Sequence, residues 1–512
     1  FLTKGKESFG GRRIMTMEYV STRGNEQKLT GAAAILAGMA EDGGLFVPTE
    51  IPKVASDFPA SLVDLEYPQR AARILGLFFD DYEPEELRGC LERAYRSGKF
   101  DDPAVAPTRW VGDMGMLELW HGPTSAFKDM ALQLLPQLLS TALRKTGEKS
   151  EVLILAATSG DTGKAALAGF CDVPQTKIMV FYPSGGVSRM QWLQMVTQEG
   201  QNVAVMAVEG NFDDAQRGVK EIFGDGALRE KFAASGVKLS SANSINWGRL
   251  APQIVYYFSA YADLLRMGAI KSGDAVNFTV PTGNFGNILA GFYARQMGLP
   301  IGRLVCASNQ NNVLTDFLLT GYYDRNREFF KTITPSMDIL ISSNLERLLY
   351  HLTGDTAMVR HWMKNLAEEG RYDCGVSMIQ RMQNYFWADW ADDAKTKAAI
   401  KEVYDAHRYV MDPHTAVAWA VAHAYQRRTD DRRPMVVVST ASPYKFNDSV
   451  LSALGVEIEG RDCFALLKEL AARNEAPVPS GLAALQGAAV LHEGVCRREE
   501  MAEEVRRFAA RK

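Results

Sequence analysis

EVLILAATSGDTGKAALAGF, residues 151–170, sets an unbroken apolar run, Val152 to Ala157, in front of a loop of small residues, Thr158-Ser159-Gly160-Asp161-Thr162-Gly163. An Ala-rich helical pattern follows the loop. An apolar run without alternation reads as a strand buried on both faces, as in parallel sheets. Working outward, the same texture returns at Ile178–Tyr182, Val203–Val208, Phe278–Val280, Leu304–Ala307 and Met435–Val438, with helical patterns between. That alternation predicts an α/β architecture of parallel strands and crossover helices. In such sheets ligands sit beyond the carboxyl ends of strands, so the loops after the runs are the ones to read. Small residues in Thr158–Gly163 leave backbone N–H groups bare at a helix start, which suits an anion. The loop is not a Walker loop, because Thr158 stands where the first glycine is required. A tight turn without a ligand is the plain alternative.

A second loop repeats this grammar. In VNFTVPTGNFGNILAGFYARQMG a strand leads through Pro281 to Asn287 into a helical pattern, and Gly283 and Gly286 permit close approach of an oxyanion to the main chain. Two such loops suggest a ligand set with two anionic groups, though glycines that merely make turns would look the same. A third segment, LWHGPTSAFKDMALQLLPQLL, places Lys128 at a helix start beside Phe127. The macrodipole and the poorly solvating neighbour both predict a depressed lysine pKa, as a Schiff base to a carbonyl cofactor needs. An ordinary exposed lysine with Asp129 as a helix cap is the competing reading.

The rest of the chain narrows the class. Its 512 residues suffice for about three domains. A 46% hydrophobic and 23% charged composition argues for a folded globular protein. The net charge of −4 offers no field for nucleic acid or an anionic membrane. Six cysteines without a CxxC pair fit a reducing cytoplasm, and no apolar run is long enough for a membrane span. No metal-ligand spacing is present; His121 and His414 read as structural or orienting side chains. Residues 1–16 read as a disordered leader, 17–99 as a helical N-terminal domain and 100–470 as an α/β region of two subdomains with a helical insertion at about 325–401. Residues 471–512 read as a helical tail.

The segment HGPTSAFKDMALQ resembles the HGPTxAFKDxALQ signature of threonine synthases, pyridoxal-phosphate enzymes of fold type II with a tryptophan synthase β-like fold. YVSTRGN (19–25), DGGLFVP (42–48), TSGDTG (158–163) and PTGNFGN (281–287) agree in the same order. The similarity runs from about Met17 to Phe446 and points to the longer microbial and fungal branch. It implies that Lys128 carries pyridoxal 5'-phosphate as an internal aldimine and that Gly283, Asn284, Phe285, Gly286 and Asn287 cradle its phosphate. It also implies that Thr440 hydrogen-bonds the pyridine nitrogen. The implied substrate is O-phospho-L-homoserine, its phosphate held by Asn243, Ser244 and Arg249 of SSANSINWGRL with Ser159 and Thr162.

The implied reaction is loss of the γ-phosphate and addition of water at the β carbon, giving L-threonine and phosphate, with the freed Lys128 moving protons. The alternatives are a related phospho-lyase, a dehydratase, or a non-catalytic scaffold that keeps the fold. The partner is thus a small molecule, and the chain is expected to be a monomer or homodimer. One stretch departs from the pattern. Where the family reads close to TAHPAKF, residues 440–446 read TASPYKF, with Ser442 for His and Tyr444 for Ala.

Overall fold

The computed structural model describes residues 16–511 apart from Ser97 and Ser159, and Asp213 without its side chain. The segment read as a leader therefore lies almost wholly outside the described residues. Two parallel sheets organise the remainder. The first has five strands in the order Val495–Cys496, Val203–Val208, Thr176–Pro183, Glu151–Ala157, Val237–Ser240, all parallel. In its centre Val152–Ala156 and Ile178–Phe181 are buried on both faces, which is why these runs show no alternation. The second has six strands in the order Phe386–Trp390, Ile301–Ser308, Val276–Pro281, Met435–Ser439, Met114–Glu118, Thr108–Val111. Only its last pairing is antiparallel, a hairpin that ends the sheet.

The six apolar runs are all strands, each extended by a residue or more at one or both ends except Val203–Val208, which matches. The five further strands of these two sheets carry weaker signals. Val237–Ser240 and Phe386–Trp390 are short and mix polar with apolar residues, and Val495–Cys496 has two residues. Phe386–Trp390 falls within the segment read as a helical insertion, and it pairs with Ile301–Ser308 as the edge of the six-stranded sheet. Val495–Cys496 falls within the tail read as helical, and it pairs with Val203–Val208. After it, helix Met501–Ala509 buries Met501, Val505 and Phe508 in the core beneath the first sheet.

The N-terminal region joins three helices, Gly31–Ala37, Tyr67–Leu75 and Pro84–Tyr95, to an antiparallel pair, Tyr19–Ser21 with Phe46–Pro48. It docks on helix Trp247–Arg266, which is buried from Trp247 to Leu264 because it is apolar all round. Arg70 crosses this interface to Asp263 at 2.9 Å, and its remaining donors reach Ser259 and the carbonyls of Leu62 and Val63. A buried ion pair needs such complete satisfaction to offset its desolvation. None of the described helices is long and apolar enough to cross a membrane.

Close helix packing brings the two units together at the site. Helix Asp161–Phe170 crosses the segment after Lys128 so tightly that a Cβ on Gly169 would lie 1.9 Å from the Leu132 carbonyl oxygen. Only glycine fits there.

Candidate active site

Lys128 stands at the start of the four-residue helix Asp129–Leu132 and is buried. The turn before it is closed by Asp129, whose carboxylate accepts from Thr124 N at 2.8 Å and Thr124 Oγ1 at 2.7 Å. The turn is then fastened to the end of strand Met435–Ser439. Phe127 N donates to the Thr440 carbonyl at 2.8 Å, Ala126 and Ala441 form a bridge, and Ser442 N donates to the Ser125 carbonyl at 3.1 Å. Thr440, itself buried, is thereby held in register with Lys128.

The amine of Lys128 donates to Ser336 Oγ at 3.1 Å and lies 3.5 Å from Asp161 Oδ2. Its pKa is lowered to about 8. Burial is the main cause; Asp161 opposes the shift, and Lys445 and Arg249 reinforce it. The depressed lysine is as the sequence suggests, and of the two causes it offers, poor solvation carries the shift and the macrodipole does not. A four-residue helix carries little macrodipole, and desolvation with nearby cations does the lowering.

Around Asp161 the loop 158–163 departs from a bare anion cradle. Thr158 Oγ1 accepts from Gly160 N at 3.0 Å and Gly163 N at 2.9 Å, so two of its donors are satisfied within the loop. Asp161 itself takes Lys445 Nζ at 2.8 Å, Gln191 Nε2 at 3.0 Å and Ser336 Oγ at 3.1 Å. Burial pushes its carboxyl up, and Lys445 with Lys128 outweighs that, holding it well below the usual range. Thr162 sits in the first turn of helix Asp161–Phe170, half-buried; Ser159 lies outside the described residues.

Loop 281–287 keeps its donors free. Among the described residues the N–H groups of Gly283 to Asn287 reach no protein acceptor, and the buried Asn287 Nδ2 has no partner. Asn287 Oδ1 is fixed by the hydroxyls of Tyr256 at 2.6 Å and Tyr257 at 2.9 Å, which sets the amide so that its nitrogen is the atom left unpartnered. Phe285 adopts a left-handed φ of 62°, a strained state for a bulky residue that tends to be kept where function demands it. Three consecutive residues brace this loop and the 243–249 segment. Ser342 Oγ donates to the Gly283 carbonyl at 2.8 Å, Ser343 Oγ meets Ser244 Oγ at 3.4 Å, and Asn344 donates to the Asn284 carbonyl through N at 3.1 Å and Nδ2 at 3.2 Å. The buried Arg347 adds bonds to Asn344 Oδ1 at 2.6 Å and to the carbonyls of Ser244 and Ile245 at 3.3 and 2.5 Å.

Arg249 is buried in the first turn of helix Trp247–Arg266 and donates to the Ala242 carbonyl at 2.8 Å. Burial alone lowers its pKa to about 10, and no carboxylate answers it among the described residues. A buried cation without a counter-ion is a place for an anion. Asn243 is exposed at the mouth of this segment, and Ser244 is half-buried. Of the histidines, His121 lies 2.8 Å from Glu118 and stacks on Trp120, while His414 donates from Nδ1 to Asp412 at 2.7 Å and accepts Ser336 N at Nε2, 3.3 Å. The two departures in 440–446 are both structural: Ser442 caps the turn Pro443–Phe446, and the buried Tyr444 donates to the Ala476 carbonyl at 2.5 Å.

Sequence reasoning left Asp161, Gln191, Ser336, Ser342–Asn344, Arg347 and Lys445 unassigned. Two of them had a signal, Asp161 inside the matched TSGDTG segment and Lys445 as the lysine of the family's TAHPAKF run.

Three family models match the chain. They are "Threonine synthase N terminus" over residues 18–95, "Pyridoxal-phosphate dependent enzyme" over 117–378 and "Threonine synthase, C-terminal" over 415–488. A threonine synthase of Pseudomonas aeruginosa is 40% identical over 85% of this chain and 90% of its own length. The chain belongs to the threonine synthase family. A structure of pyridoxal-phosphate-bound threonine synthase from Brucella melitensis superposes with a TM-score of 0.86 at 37% identity, covering 97% of this chain and all of that one. The human protein "Threonine synthase-like 1" is 41% identical over 84% of this chain, which spans 59% of that relative's length. As a member of this family the chain is a pyridoxal-phosphate-dependent enzyme of fold type II. Its residues fit that group: an amine of lowered pKa, a donor-rich loop with an unpartnered amide, and a buried threonine in register with the amine.

Proposed function

We propose that the chain is a threonine synthase, converting O-phospho-L-homoserine and water to L-threonine and phosphate in the cytoplasm. The supporting observation is the pairing of two anion-ready positions around one deprotonatable amine. Loop Gly283–Asn287 offers free main-chain donors, and Arg249 offers a buried cation without a counter-ion, close enough to lower the Lys128 pKa. Two anions, one on the cofactor and one on the substrate, account for both.

Pyridoxal phosphate, when bound, supplies an electron sink for the carbon skeleton of the amino acid. The protein's own residues do the rest. Gly283, Asn284, Phe285, Gly286 and Asn287 hold the cofactor phosphate through main-chain donors, with the Asn287 amide completing the set. Thr440 orients the ring nitrogen with a hydroxyl, which holds it less fully protonated than a carboxylate would. Arg249, with Asn243, Ser244, Ser159 and Thr162, takes the substrate phosphate; the guanidinium fork suits two of its oxygens. Lys128 Nζ, as the free amine, takes protons from the α and β carbons; as phosphate leaves the γ carbon a proton is returned there to complete the methyl group, water gives its hydroxyl to the β carbon and its proton to the departing phosphate, and a proton goes back to the α carbon. The six cysteines, all free in the structure, agree with a reducing compartment.

The experiment is incubation of purified protein with O-phospho-L-homoserine and identification of the amino-acid product. Threonine in step with released phosphate is expected. A keto acid, 2-oxobutyrate, without threonine would replace this reading by a phospho-lyase. That second reading is kept because relatives at 40–41% identity carry a name, "Threonine synthase-like 1", that stops short of the synthase activity.

A further inference from the structure

One buried charge is left without a task in this scheme. Lys445 lies in the turn Pro443–Phe446 with a fully buried side chain, 2.8 Å from Asp161 Oδ1 and 2.8 Å from the Thr124 carbonyl oxygen. The other carboxylate oxygen faces Lys128 Nζ at 3.5 Å. A single carboxylate therefore bridges two lysines, and Gln191 and Ser336 pin it from two further segments. A lone buried anion beside an amine keeps that amine protonated; the same anion shared with a second cation pulls less. The Lys128 amine reports this arrangement, since Asp161 raises its pKa while Lys445 lowers it.

We propose that Lys445 is a positioning residue for Lys128. Through Asp161 it fixes the carboxylate against the amine and offsets its charge, so that the Lys128 nitrogen can release its proton near neutral pH. The proposal rests on Lys128 being the cofactor-bearing amine, but the geometry it concerns exists without cofactor or substrate. The charged groups facing the cluster are few. Lys128 sees Asp161, Lys445 and Arg249, with the imidazole of His414 one residue removed behind Ser336. On its far side Lys445 meets the fields of Asp129, which is bonded to Thr124, and Lys164, which donates to Gln198 Oε1 at 2.6 Å. No contact of Asp129 or Lys164 with Asp161 is present among the described residues.

The test reads the amine directly. The full chain, freed of pyridoxal phosphate, is labelled with trace acetic anhydride across a pH series, and acetylation of Lys128 is followed by peptide mass spectrometry. The parent midpoint is expected at about pH 8. Lys445→Met leaves the carboxylate uncompensated and raises the midpoint by roughly one unit or more, while Asp161→Asn leaves the cation and lowers it by a similar amount. In the double variant both charges are gone and the midpoint returns to within about half a unit of the parent, a coupling that additive structural damage does not produce. Single variants that shift the same way, or a double variant displaced as far as either single, overturn the proposal. Should Lys445→Met not fold, Asp161→Asn and the double variant decide by the same pattern. Reduction with borohydride after adding pyridoxal phosphate to the parent is read separately: absence of an adduct on Lys128 would sink the functional reading and leave the labelling result standing.

Discussion

Loop 158–163 and loop 281–287 both follow a buried strand and both open a helix, yet they use their polar groups differently. In the first, Thr158 Oγ1 takes two of the loop's N–H groups and Asp161 is locked between lysines, so its electrostatics come from side chains. In the second, the main-chain donors are left free and the side chains serve to aim them. A shared pattern of strand, small residues and helix therefore predicts where a ligand site lies and not how it holds a ligand. The deciding feature is one hydroxyl, Thr158, that satisfies the turn from within.

Given that contrast, the first loop is broken by changing charge and the second by adding bulk. Asp161→Ala should have the largest effect, because it strands Lys445 buried and unpaired; a loss of about 3–5 kcal/mol in denaturant-monitored stability is expected. Arg249→Met should leave cofactor uptake intact but cut kcat/KM for the phosphorylated substrate by roughly tenfold to a hundredfold, the worth of one hydrogen-bonded charge. Gly283→Ala would set a Cβ 3.0 Å from the Ser336 carbonyl oxygen, which is main chain and cannot step aside. Denaturant-monitored stability of the cofactor-free chain should fall by ~1–3 kcal/mol from overpacking, and absorbance titration should show pyridoxal phosphate affinity weakened by about tenfold as the loop shifts to relieve the contact. The smallest effect marks the other end of the scale. Lys401 meets Asp405 at 2.9 Å, close to the separation in the Lys445 pair, but in solvent, and Lys401→Ala should cost under about 1 kcal/mol.

Much of this was legible in the sequence because it is local. Apolar runs without alternation marked the six central strands, and the lysine turn and both loops are contiguous motifs. Legibility failed where partners come from distant segments. Nothing in SSNLERLL announces that Ser342 and Asn344 brace loop 281–287, nor that Arg347 ties it to Ser244. Lys445 matches the family's run in sequence, but only the fold shows that it lies against Asp161. The donors of loop 158–163 were misjudged for a different reason: whether an N–H is bare depends on a side-chain rotamer, which spacing does not reveal. Strands of two to five residues at sheet edges were missed because tertiary pairing, and not propensity, makes them.

The strand Val495–Cys496 has a consequence for biosynthesis. It is the last-made partner of Val203–Val208, and the helix behind it supplies the carbonyl of Ala509 to Lys177 on the neighbouring strand. A ribosome emits the first sheet's other four strands long before it emits this one, so the nascent chain carries an open parallel edge while the four later strands of the second sheet, from Val276 to Ser439, are still being synthesised. Cotranslational chaperone engagement, and a stop codon arising before residue 495, would both act at that edge.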